Sequence, residues 1–372
     1  MNRPFSVLVY STQHMPTGGI ESHLQEFCHR LAESGMQIDL IILNAVMLPE
    51  TKSHFQNICR KVYFGNQGKS YTRIFWLFFI KLKLLSRRYD AVYTNGQGGT
   101  ISLSAKLFSH GSLWVHHHHT SGDTADQLTW GSGYRHALTS AHTVIACSAR
   151  NAKELTSAIN RPVQSIPCFS REIPINTSFA KGKKLRFGYY GRLIPEKGID
   201  LLCRLSMDKE LHEIEFHIWG KGEAYPSHFF SAYPDLHYHG AFSGELELVK
   251  VVETLDAYLL LSSHPEGLPI ALLEVMSAGV PWLASDRGGI RDILCDPVAT
   301  RIVSSSLTYT EIKSGILDLA DAIKNRKINS NTQRNFYANK FSSKVLVKKW
   351  SEVLGIDTDW NTMDINKMLP VS

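Results

Sequence analysis

The stretch YLLLSSHPEGLPIALLEVMSAGVPWLASDRGGIRD, residues Tyr258–Asp292, alternates apolar runs with polar and glycine-containing turns. We predict that its two apolar runs, Tyr258–Leu261 and Val280–Ala284, form buried strands. The segment Ile270–Ala278 between them is predicted to be a short helix, because Pro269 favours a helix start there. The order strand, loop, helix, strand, loop is the unit of a parallel α/β sheet. Such sheets bind ligands beyond the carboxyl ends of their strands.

Two carboxylates in this stretch are candidates for ligand binding. Glu266 lies in the loop after the first predicted strand, and Glu274 lies eight positions later in the following helix. Because the loop and the helix border the same edge of the predicted sheet, both side chains can face one crevice.

The composition is that of an ordinary globular protein with more than one domain. The chain has 372 residues, 43% of them hydrophobic and 20% charged, and one domain usually spans roughly 100–200 residues. The net charge of +6 suits phosphates or a membrane surface, but is too small to indicate nucleic acid. Six scattered cysteines without a Cys-x-x-Cys pair indicate reduced thiols.

No sequence run approaches the ~20 apolar residues that span a bilayer, and the apolar segment at the start of the sequence is predicted to be a strand and not a signal peptide. We therefore expect a cytoplasmic protein, with contact at the inner face of the cell membrane left open.

The strand–turn–helix pattern occurs twice, with a boundary in the proline-containing segment Arg161–Lys184. We predict an α/β fold of two Rossmann-like α/β/α domains that face an interdomain cleft. The N-terminal domain would comprise residues 1–175 and the C-terminal domain residues 183–344. A C-terminal helix, about 345–372, is expected to pack back on the first domain.

Gly18-Gly19 stands between the predicted strand Phe5–Tyr10 and a helix. Glycines at such a position let the backbone approach an anion and direct the helix N-terminus at it; a plain tight turn is the alternative. The spacing does not match G-x-G-x-x-G, which disfavours a nicotinamide or flavin enzyme.

Four consecutive histidines, His116–His119, follow a predicted short strand, Leu113–Val115. Adjacent residues of an extended chain point alternately to opposite sides, so the four rings cannot all converge on one ion. Because no His-x₃-His or Glu-x-x-His pattern accompanies them, we favour one strand-end histidine that donates to a substrate oxygen or a phosphate.

The segment Tyr71–Arg88 combines apolar and basic residues. It is predicted to be a helix packed on the sheet, or a helix whose aromatic and basic side chains rest on an anionic membrane. The two interpretations are compatible if they concern different faces.

Strand ends of two facing α/β domains surround one cleft, a favoured ligand position. Arginine binds phosphate oxygens as a fork and lysine as a point charge, whereas carboxylates accept hydrogen bonds from sugar hydroxyls. The combination predicts a nucleotide-sugar site. The candidates are Gly18, Gly19, His119 and Ser148 from the first half and Arg192, Lys197, Glu266, Gly267, Leu268, Pro269 and Glu274 from the second.

The order of these motifs resembles the retaining glycosyltransferases of family 4, which have the GT-B fold. The resemblance is carried by Gly191–Gly198 (GRLIPEKG) and by Glu266-Gly267-Leu268-Pro269 continued to Glu274, an E-x₇-E motif. Further matches in the expected order are Gly18-Gly19, His119-Thr120, Ser148 and Gly288-Gly289. Leu268 replaces a common phenylalanine and Asp292 a common glutamate, and the histidine run leaves the choice between His118 and His119 open.

The resemblance implies roles for single residues. Glu274 would bind the nucleotide ribose, and Glu266 the 3- and 4-hydroxyls of the donor sugar. Arg192 and Lys197 would neutralise the diphosphate leaving group. His119 would lie near the 6-hydroxyl of the donor sugar and the acceptor. The implied catalytic residues are His119, Glu266, Arg192 and Lys197. The implied donor-binding residues are Gly18, Gly19, Ser148, Gly191, Arg192, Lys197, Gly220, Glu266, Gly267, Leu268, Pro269 and Glu274. No metal or other cofactor is expected.

The resemblance thus implies retaining transfer of a hexose or N-acetylhexosamine from a nucleotide diphosphate sugar, with UDP favoured over GDP. The acceptor would be a glycan or a lipid-linked molecule, in bacterial surface polysaccharide or lipopolysaccharide synthesis. The protein would contact the membrane peripherally through residues 71–88, and no nucleic-acid partner is expected. A nucleotide-sugar 2-epimerase of similar architecture is the main alternative. A non-catalytic sensor or nucleic-acid binder is the third hypothesis.

Overall fold

The computed structural model describes residues 3–16, 18–66, 70–175 and 184–356. They form two parallel sheets, one in each half of the chain, flanked by helices. The predicted architecture of two Rossmann-like α/β domains is confirmed.

The first domain contains a seven-stranded sheet. Its strands are β1 (Ser6–Ser11), β2 (Gln37–Ile42), β3 (Lys61–Phe64), β4 (Ala91–Asn95), β5 (Leu113–His118), β6 (Thr143–Ala146) and β7 (Gln164–Ser165). The helices that connect them are α1 (Gly19–Glu33), α2 (Pro49–Ile58), α3 (Ser70–Lys83), α4 (Thr100–Phe108), α5 (Thr124–Gln127), α6 (Ser132–Ser140) and α7 (Ala149–Ile159).

The second domain contains a six-stranded sheet. Its strands are β8 (Leu185–Tyr190), β9 (Ile214–Trp219), β10 (Leu236–Tyr238), β11 (Ala257–Leu260), β12 (Trp282–Ser285) and β13 (Thr300–Val303). The α-helices that follow β8 in the described chain are α8 (Ile199–Ser206), α9 (Gly244–Thr254), α10 (Ile270–Ala278), α11 (Tyr309–Lys324), α12 (Ser330–Lys340) and α13 (Ser343–Val353). Short 3₁₀ segments are Pro195–Lys197, Lys209–Leu211, Ser227–Ala232 and Gly288–Ile293.

Both sheets have a topological switch point. The strand order is β3-β2-β1-β4-β5-β6-β7 in the first sheet and β10-β9-β8-β11-β12-β13 in the second, with every described pair parallel. The order of strand addition reverses between β1 and β4 and between β8 and β11. At such a point the connecting segments leave on opposite faces of the sheet, which opens a crevice at the carboxyl ends of the strands.

The last described helix, α13, packs on the first domain, although it follows helices of the second. Leu346, Trp350 and Leu354 belong to the apolar cluster on one face of the first sheet. The Trp350 ring is fully buried and lies 5.1 Å from the ring of Phe27 and 5.5 Å from that of Tyr93. The part of the expected C-terminal helix beyond residue 356 lies outside the described residues.

Helix α3 has one buried and one open face. Leu77 and Ile80 are buried, as is Leu84 just after the helix. The opposite face leaves large apolar side chains exposed: Tyr71, Ile74, Phe75, Phe78, Phe79 and Leu82, followed by Leu85. Among the helices of the described ranges, none is both long and apolar enough to cross a membrane.

Two strands differ from the sequence-based expectation by more than one residue at an end. β5 continues to His118 and does not end at Val115, because its histidines pair with neighbours on both sides, β4 and β6. β12 begins at Trp282 and not at Val280, because the Val280 N–H instead donates to the Val275 carbonyl at the end of α10 (2.9 Å).

We expect Trp350→Ala to lower the free energy of unfolding of the first domain by about 3–5 kcal/mol, since it removes a large buried ring from the core. Lys348→Ala is the matched control, because Lys348 lies in the same helix and is exposed. Urea-induced unfolding followed by tryptophan fluorescence and circular dichroism measures both. Equal midpoints for the two variants would contradict the packing of α13.

Candidate active site between the two domains

The carboxyl-end loops of the two sheets meet in direct backbone contact. Thr120, just after β5, and Glu266, after β11, form an antiparallel bridge. A β-carbon at Gly267 would lie 2.1 Å from the His119 carbonyl oxygen, so only glycine permits this approach. Asn151 of α7 donates its side-chain N–H to the Gly267 carbonyl at 2.8 Å. The loop at 266–267 is therefore in van der Waals contact with the first domain, and its carbonyl is already hydrogen-bonded.

A second contact joins the start of α7 to the loop after β12. Ser148 is buried and its Oγ accepts a hydrogen bond from Asn151 N (3.1 Å), which caps the helix. A β-carbon at Gly289 would lie 2.5 Å from the Ser148 side chain. Asp292 accepts a hydrogen bond from Arg150 N across the interface (2.8 Å). Ser148 thus lies at the interdomain contact, but its hydroxyl oxygen already accepts the hydrogen bond that caps α7.

Lys197 and Glu266 form a buried ion pair at the switch point of the second sheet. Lys197 ends the 3₁₀ segment after β8 and its ammonium contacts Glu266 Oε1. The Ser262 hydroxyl also donates to Glu266 Oε1, at 2.6 Å. Burial alone would raise the pKa of Glu266, but Lys197 and Ser262 outweigh it and hold that pKa below its ordinary value. Glu266 is therefore ionised at neutral pH.

Arg192 follows β8 on the same edge, and its side chain is exposed. No ion-pair partner for its guanidinium occurs among the residues that the structure describes. Its backbone is fixed by neighbouring glycines: Gly191 has φ of 147°, and a β-carbon at Gly220 would lie 1.9 Å from the Gly191 carbonyl. The tight backbone contact between the ends of β8 and β9 thus fixes where Arg192 stands at the cleft, close enough to act on the Glu21 carboxyl group.

Gly18 and Gly19 stand at the start of α1, and Gly19 faces the second domain. Gly18 is the N-cap residue of α1, and a β-carbon on Gly19 would lie 3.7 Å from the side chain of Ile270, the first residue of α10. Glu21 occupies the space beside Gly18 and accepts a hydrogen bond from Met15 N (3.2 Å). Burial raises the pKa of Glu21, against the opposing effects of backbone hydrogen bonding and Arg192. This carboxyl group is not among the residues predicted from the sequence, although it stands two positions after Gly19.

Glu274 is nearly inaccessible to solvent, with 1% of its surface exposed. Arg171, from the segment between the domains, donates to its Oε1 at 2.7 Å, and the Tyr190 hydroxyl donates to its Oε2 at 3.0 Å. Leu268 is also buried, and Pro269 is the N-cap of α10, one position before its predicted place in the first turn. Glu274 thus faces the interdomain segment, but both of its oxygens have a protein partner.

The side chains of the four consecutive histidines alternate between the two faces of the first sheet. His116 and His118 both contact the Tyr134 hydroxyl, at 3.1 and 2.7 Å, and His118 also contacts Asp126 at 3.0 Å. His117 and His119 lie on the other side, with ring centroids 4.1 Å apart. Burial lowers the pKa of each of these two rings to about 3, helped by neighbouring histidines, so both are neutral at pH 7.

His119 is closer to the cleft than His118. His118 is fully buried, whereas His119 is half-buried and its carbonyl contacts Gly267 of the second domain. The His119 Nε2 atom is shielded from solvent and has no hydrogen-bond partner in the described chain. Of the two predicted alternatives, His119 is therefore the histidine at the domain contact.

These side chains combine a free guanidinium, an ammonium–carboxylate pair and a glycine turn at a helix start around one cleft. The cations and the helix start suit a diphosphate, and the carboxylate suits hydroxyl groups.

Models of two families match this chain in succession. "Glycosyltransferase Family 4" matches residues 17–169 and "Glycosyl transferases group 1" matches residues 170–337. The chain belongs to the group 1 glycosyltransferases. The junction of the two matches, at residues 169 and 170, falls in the segment between the two sheets, so each family match corresponds to one domain of the GT-B fold.

An uncharacterized glycosyltransferase of Methanocaldococcus jannaschii is 28% identical over 176 residues, which is 46% of this chain and 45% of that relative. The match thus spans less than half of the relative. HepE of Anabaena in complex with UDP superposes with a TM-score of 0.74 at 13% identity, over 94% of this chain and 99% of HepE. Other crystals of HepE hold UDP with glucose, or UDP-glucose.

The lipopolysaccharide outer core galactosyltransferase WaaB superposes with a TM-score of 0.67 at 18% identity, over 94% of this chain and 99% of WaaB. At these identities the structural likenesses show the shared GT-B fold alone.

We expect Lys197→Ala to reverse the pH dependence that Glu266 contributes to stability. In the folded native chain the pKa of Glu266 lies below its ordinary value of 4.5. The stability that ionised Glu266 contributes is therefore present above pH 4.5 and is lost as the pH falls through the pKa of the folded state. Without Lys197, burial raises that pKa, and the variant loses stability as pH rises above 4.5. The loss relative to the native chain should reach about 3 kcal/mol at pH 8.

Urea-induced unfolding at pH 5 and pH 8 measures this effect. Adding Glu266→Gln to Lys197→Ala should remove the pH dependence, and Lys209→Ala, at an exposed lysine of the same domain, should leave it unchanged. An equal loss at both pH values in Lys197→Ala would contradict the ion pair.

Proposed function

We propose that this group 1 family member is a retaining glycosyltransferase that moves a hexose or N-acetylhexosamine from a nucleotide diphosphate sugar to a glycan or lipid-linked acceptor. The observation that carries the proposal is the position of Arg192 and the Lys197–Glu266 pair. They stand at the switch point of the second sheet, facing Gly19 and His119 at the carboxyl edge of the first. UDP is favoured over GDP as the carrier, and the UDP held by HepE is consistent with that choice.

The proposed chemistry needs positive charge where the leaving diphosphate becomes more negative. Arg192 is exposed and can bind phosphate oxygens directly. Lys197 already contacts Glu266, so it would contribute as part of that pair, with its remaining N–H groups directed to phosphate. One well-placed donor to developing negative charge typically contributes ~3 kcal/mol to transition-state stability.

Glu266 is proposed to hold hydroxyls of the donor sugar and not to attack the sugar. Ser262 and Lys197 both bind its Oε1, which leaves Oε2 free of hydrogen bonds from the described side chains. A carboxylate stabilised by an ammonium group is a weaker nucleophile and a good acceptor for hydroxyl groups. Retention would then proceed on one face of the sugar with help from the leaving group.

Ribose binding by Glu274 requires an adjustment by Arg171. Both Glu274 oxygens have a partner, yet each carboxylate oxygen has a second lone pair for a ribose hydroxyl. Arg171 lies between the domains, so its movement on donor binding would open the pocket at Glu274. Arg171 is then a positioning residue that the sequence pattern did not single out.

A nucleotide-sugar 2-epimerase is the alternative reaction. Incubating UDP-sugars with the protein alone, and following the C2 configuration by proton NMR, distinguishes the two reactions. An epimer without an acceptor would favour the isomerase, whereas acceptor-dependent release of the nucleotide with transfer of sugar supports the transferase.

We expect Arg192→Ala to lower kcat for sugar transfer by about 10²–10³-fold, since it removes one charge from the leaving group. Arg192 is exposed, so this variant should fold normally; Lys209→Ala is the control and should keep full activity. The donor is first identified by a thermal-shift screen of nucleotide sugars, and transfer is then measured by nucleotide release and product mass. The proposed function would be overturned if the single variants Arg192→Ala, Lys197→Ala and Glu274→Ala all kept full transfer activity.

The open face of α3 is proposed to contact an anionic membrane. Phe75 is 72% exposed, Leu82 64% and Leu85 65%, and the exposed Arg87 and Arg88 lie four and five residues after the end of the helix. Exposed aromatic and leucine side chains with adjacent arginines suit the boundary between acyl chains and anionic headgroups. This contact fits a lipid-linked acceptor in surface polysaccharide or lipopolysaccharide synthesis, the kind of product named for WaaB.

We expect Phe75→Ser combined with Leu82→Ser to weaken binding to phosphatidylglycerol-containing vesicles at least ~10-fold, because burial of each apolar side chain contributes ~1.5–3 kcal/mol. Leu246→Ser is the control, since Leu246 is 80% exposed on the second domain. Vesicle flotation measures the bound fraction. Failure of the native chain to float with the vesicles, or equal binding of all variants, would contradict the proposal.

A further inference from the structure

Two histidines of the run converge with two cysteines from distant parts of the chain. Cys147 directly follows β6, and Cys168 lies three residues after β7. The Cys147 sulfur lies 3.5 Å from His117 Nε2, 3.7 Å from His119 Nδ1 and 3.6 Å from the Cys168 sulfur. The Cys168 sulfur lies 3.4 Å from His119 Nδ1. All four atoms lie within 4.8 Å of one another.

These separations match the edges of a zinc tetrahedron. Zinc binds cysteine sulfur at ~2.3 Å and histidine nitrogen at ~2.0–2.1 Å in tetrahedral geometry, so a site of two sulfurs and two nitrogens has edges of ~3.3–3.8 Å. The four sulfur–nitrogen and sulfur–sulfur distances given above, 3.4–3.7 Å, fall in this interval. A disulfide would instead place the two sulfurs at ~2.05 Å, and both cysteines are free.

Hydrogen bonds behind the cluster orient one of its rings. The second ring nitrogen of His117, Nδ1, lies 3.0 Å from the Tyr93 hydroxyl, which in turn lies 3.0 Å from His23 Nε2. His23 Nδ1 accepts a hydrogen bond from Phe169 N at 3.0 Å. A partner on the non-ligating nitrogen is the usual arrangement around a metal-bound histidine, because it fixes the tautomer and the ring.

We propose that His117, His119, Cys147 and Cys168 bind one zinc ion. Two thiolates and two imidazoles form a ligand set that zinc prefers, and four protein ligands leave no open position for a substrate. The site is thus structural. It departs from the expectation, drawn from the family resemblance, that no metal is needed. Four adjacent rings cannot share one ion, but here only alternate rings converge, and the other two ligands lie just after β6 and after β7.

Such an ion would connect three elements at the cleft edge of the first domain. Cys147 is followed by Ser148, the capping residue of α7, and the β-carbon position of Gly267 lies 3.5 Å from the Cys147 sulfur. Coordination through His119 Nδ1 would also place the ring proton on Nε2, the atom without a partner among the described residues. The effect on His119 as a hydrogen-bond donor rests on the proposed function, whereas metal binding does not.

The test is the metal content of the full chain, produced in zinc-supplemented medium, purified under a reductant and freed of any histidine tag. Elemental analysis should find about one zinc per chain in the native protein and in Cys295→Ser, a control at a half-buried cysteine outside the cluster. Cys147→Ser and Cys168→Ser should retain less than a fifth of that amount. Tyr93→Phe should bind zinc about 10–100-fold more weakly in competition with a chromophoric chelator.

A second measurement does not depend on the folding of any variant. Addition of cobalt(II) to the metal-free native chain should give the intense visible bands of tetrahedral cobalt and a thiolate-to-cobalt charge-transfer band. Native protein without zinc and without these bands would overturn the proposal, as would a Cys147–Cys168 disulfide in the reduced preparation found by peptide mass spectrometry. Because neither measurement contains a sugar donor, failure of the proposed function leaves this result unaffected.

Discussion

The backbone contact between Gly267 and the His119 carbonyl is the constraint on which the arrangement of the site depends. It brings the loop after β11 against the loop after β5, and the Thr120–Glu266 bridge fixes their register. Any side chain at 267 would separate the two carboxyl edges by the size of a methyl group or more. Since the catalytic candidates stand at those edges, their mutual distances follow from this one approach.

The electrostatics of the cleft follow from which charges are paired before a ligand arrives. Lys197 and Glu266 neutralise each other in a buried position, and Arg171 neutralises Glu274. Arg192 remains exposed. Removal of a buried partner would leave an uncompensated charge, so these pairs persist for stability as well as for binding. The cleft therefore presents Arg192 as an accessible positive charge, next to the Lys197–Glu266 pair.

The histidine run shows how a strand gives neighbouring residues separate surroundings. His116 and His118 join Tyr134 and Asp126 on one side of the first sheet, while His117 and His119 meet Cys147 and Cys168 on the other. The alternation follows from strand geometry, which the sequence reveals. The approach of the two cysteines follows from the parallel pairing of β5 with β6 and of β6 with β7, which no local sequence pattern indicates.

The sequence by itself determined the elements and the motifs. Leu185–Tyr190 and Ile270–Ala278 have the predicted bounds, because apolar runs bounded by glycine and proline signal their own ends. It also placed Arg192, Lys197 and Glu266 at strand ends. Only the tertiary structure decided that Lys197 pairs with Glu266, that Arg171 covers Glu274 and that two histidines meet two cysteines. Each of these contacts joins residues far apart in the chain, so it depends on how the sheets pack and not on local propensity.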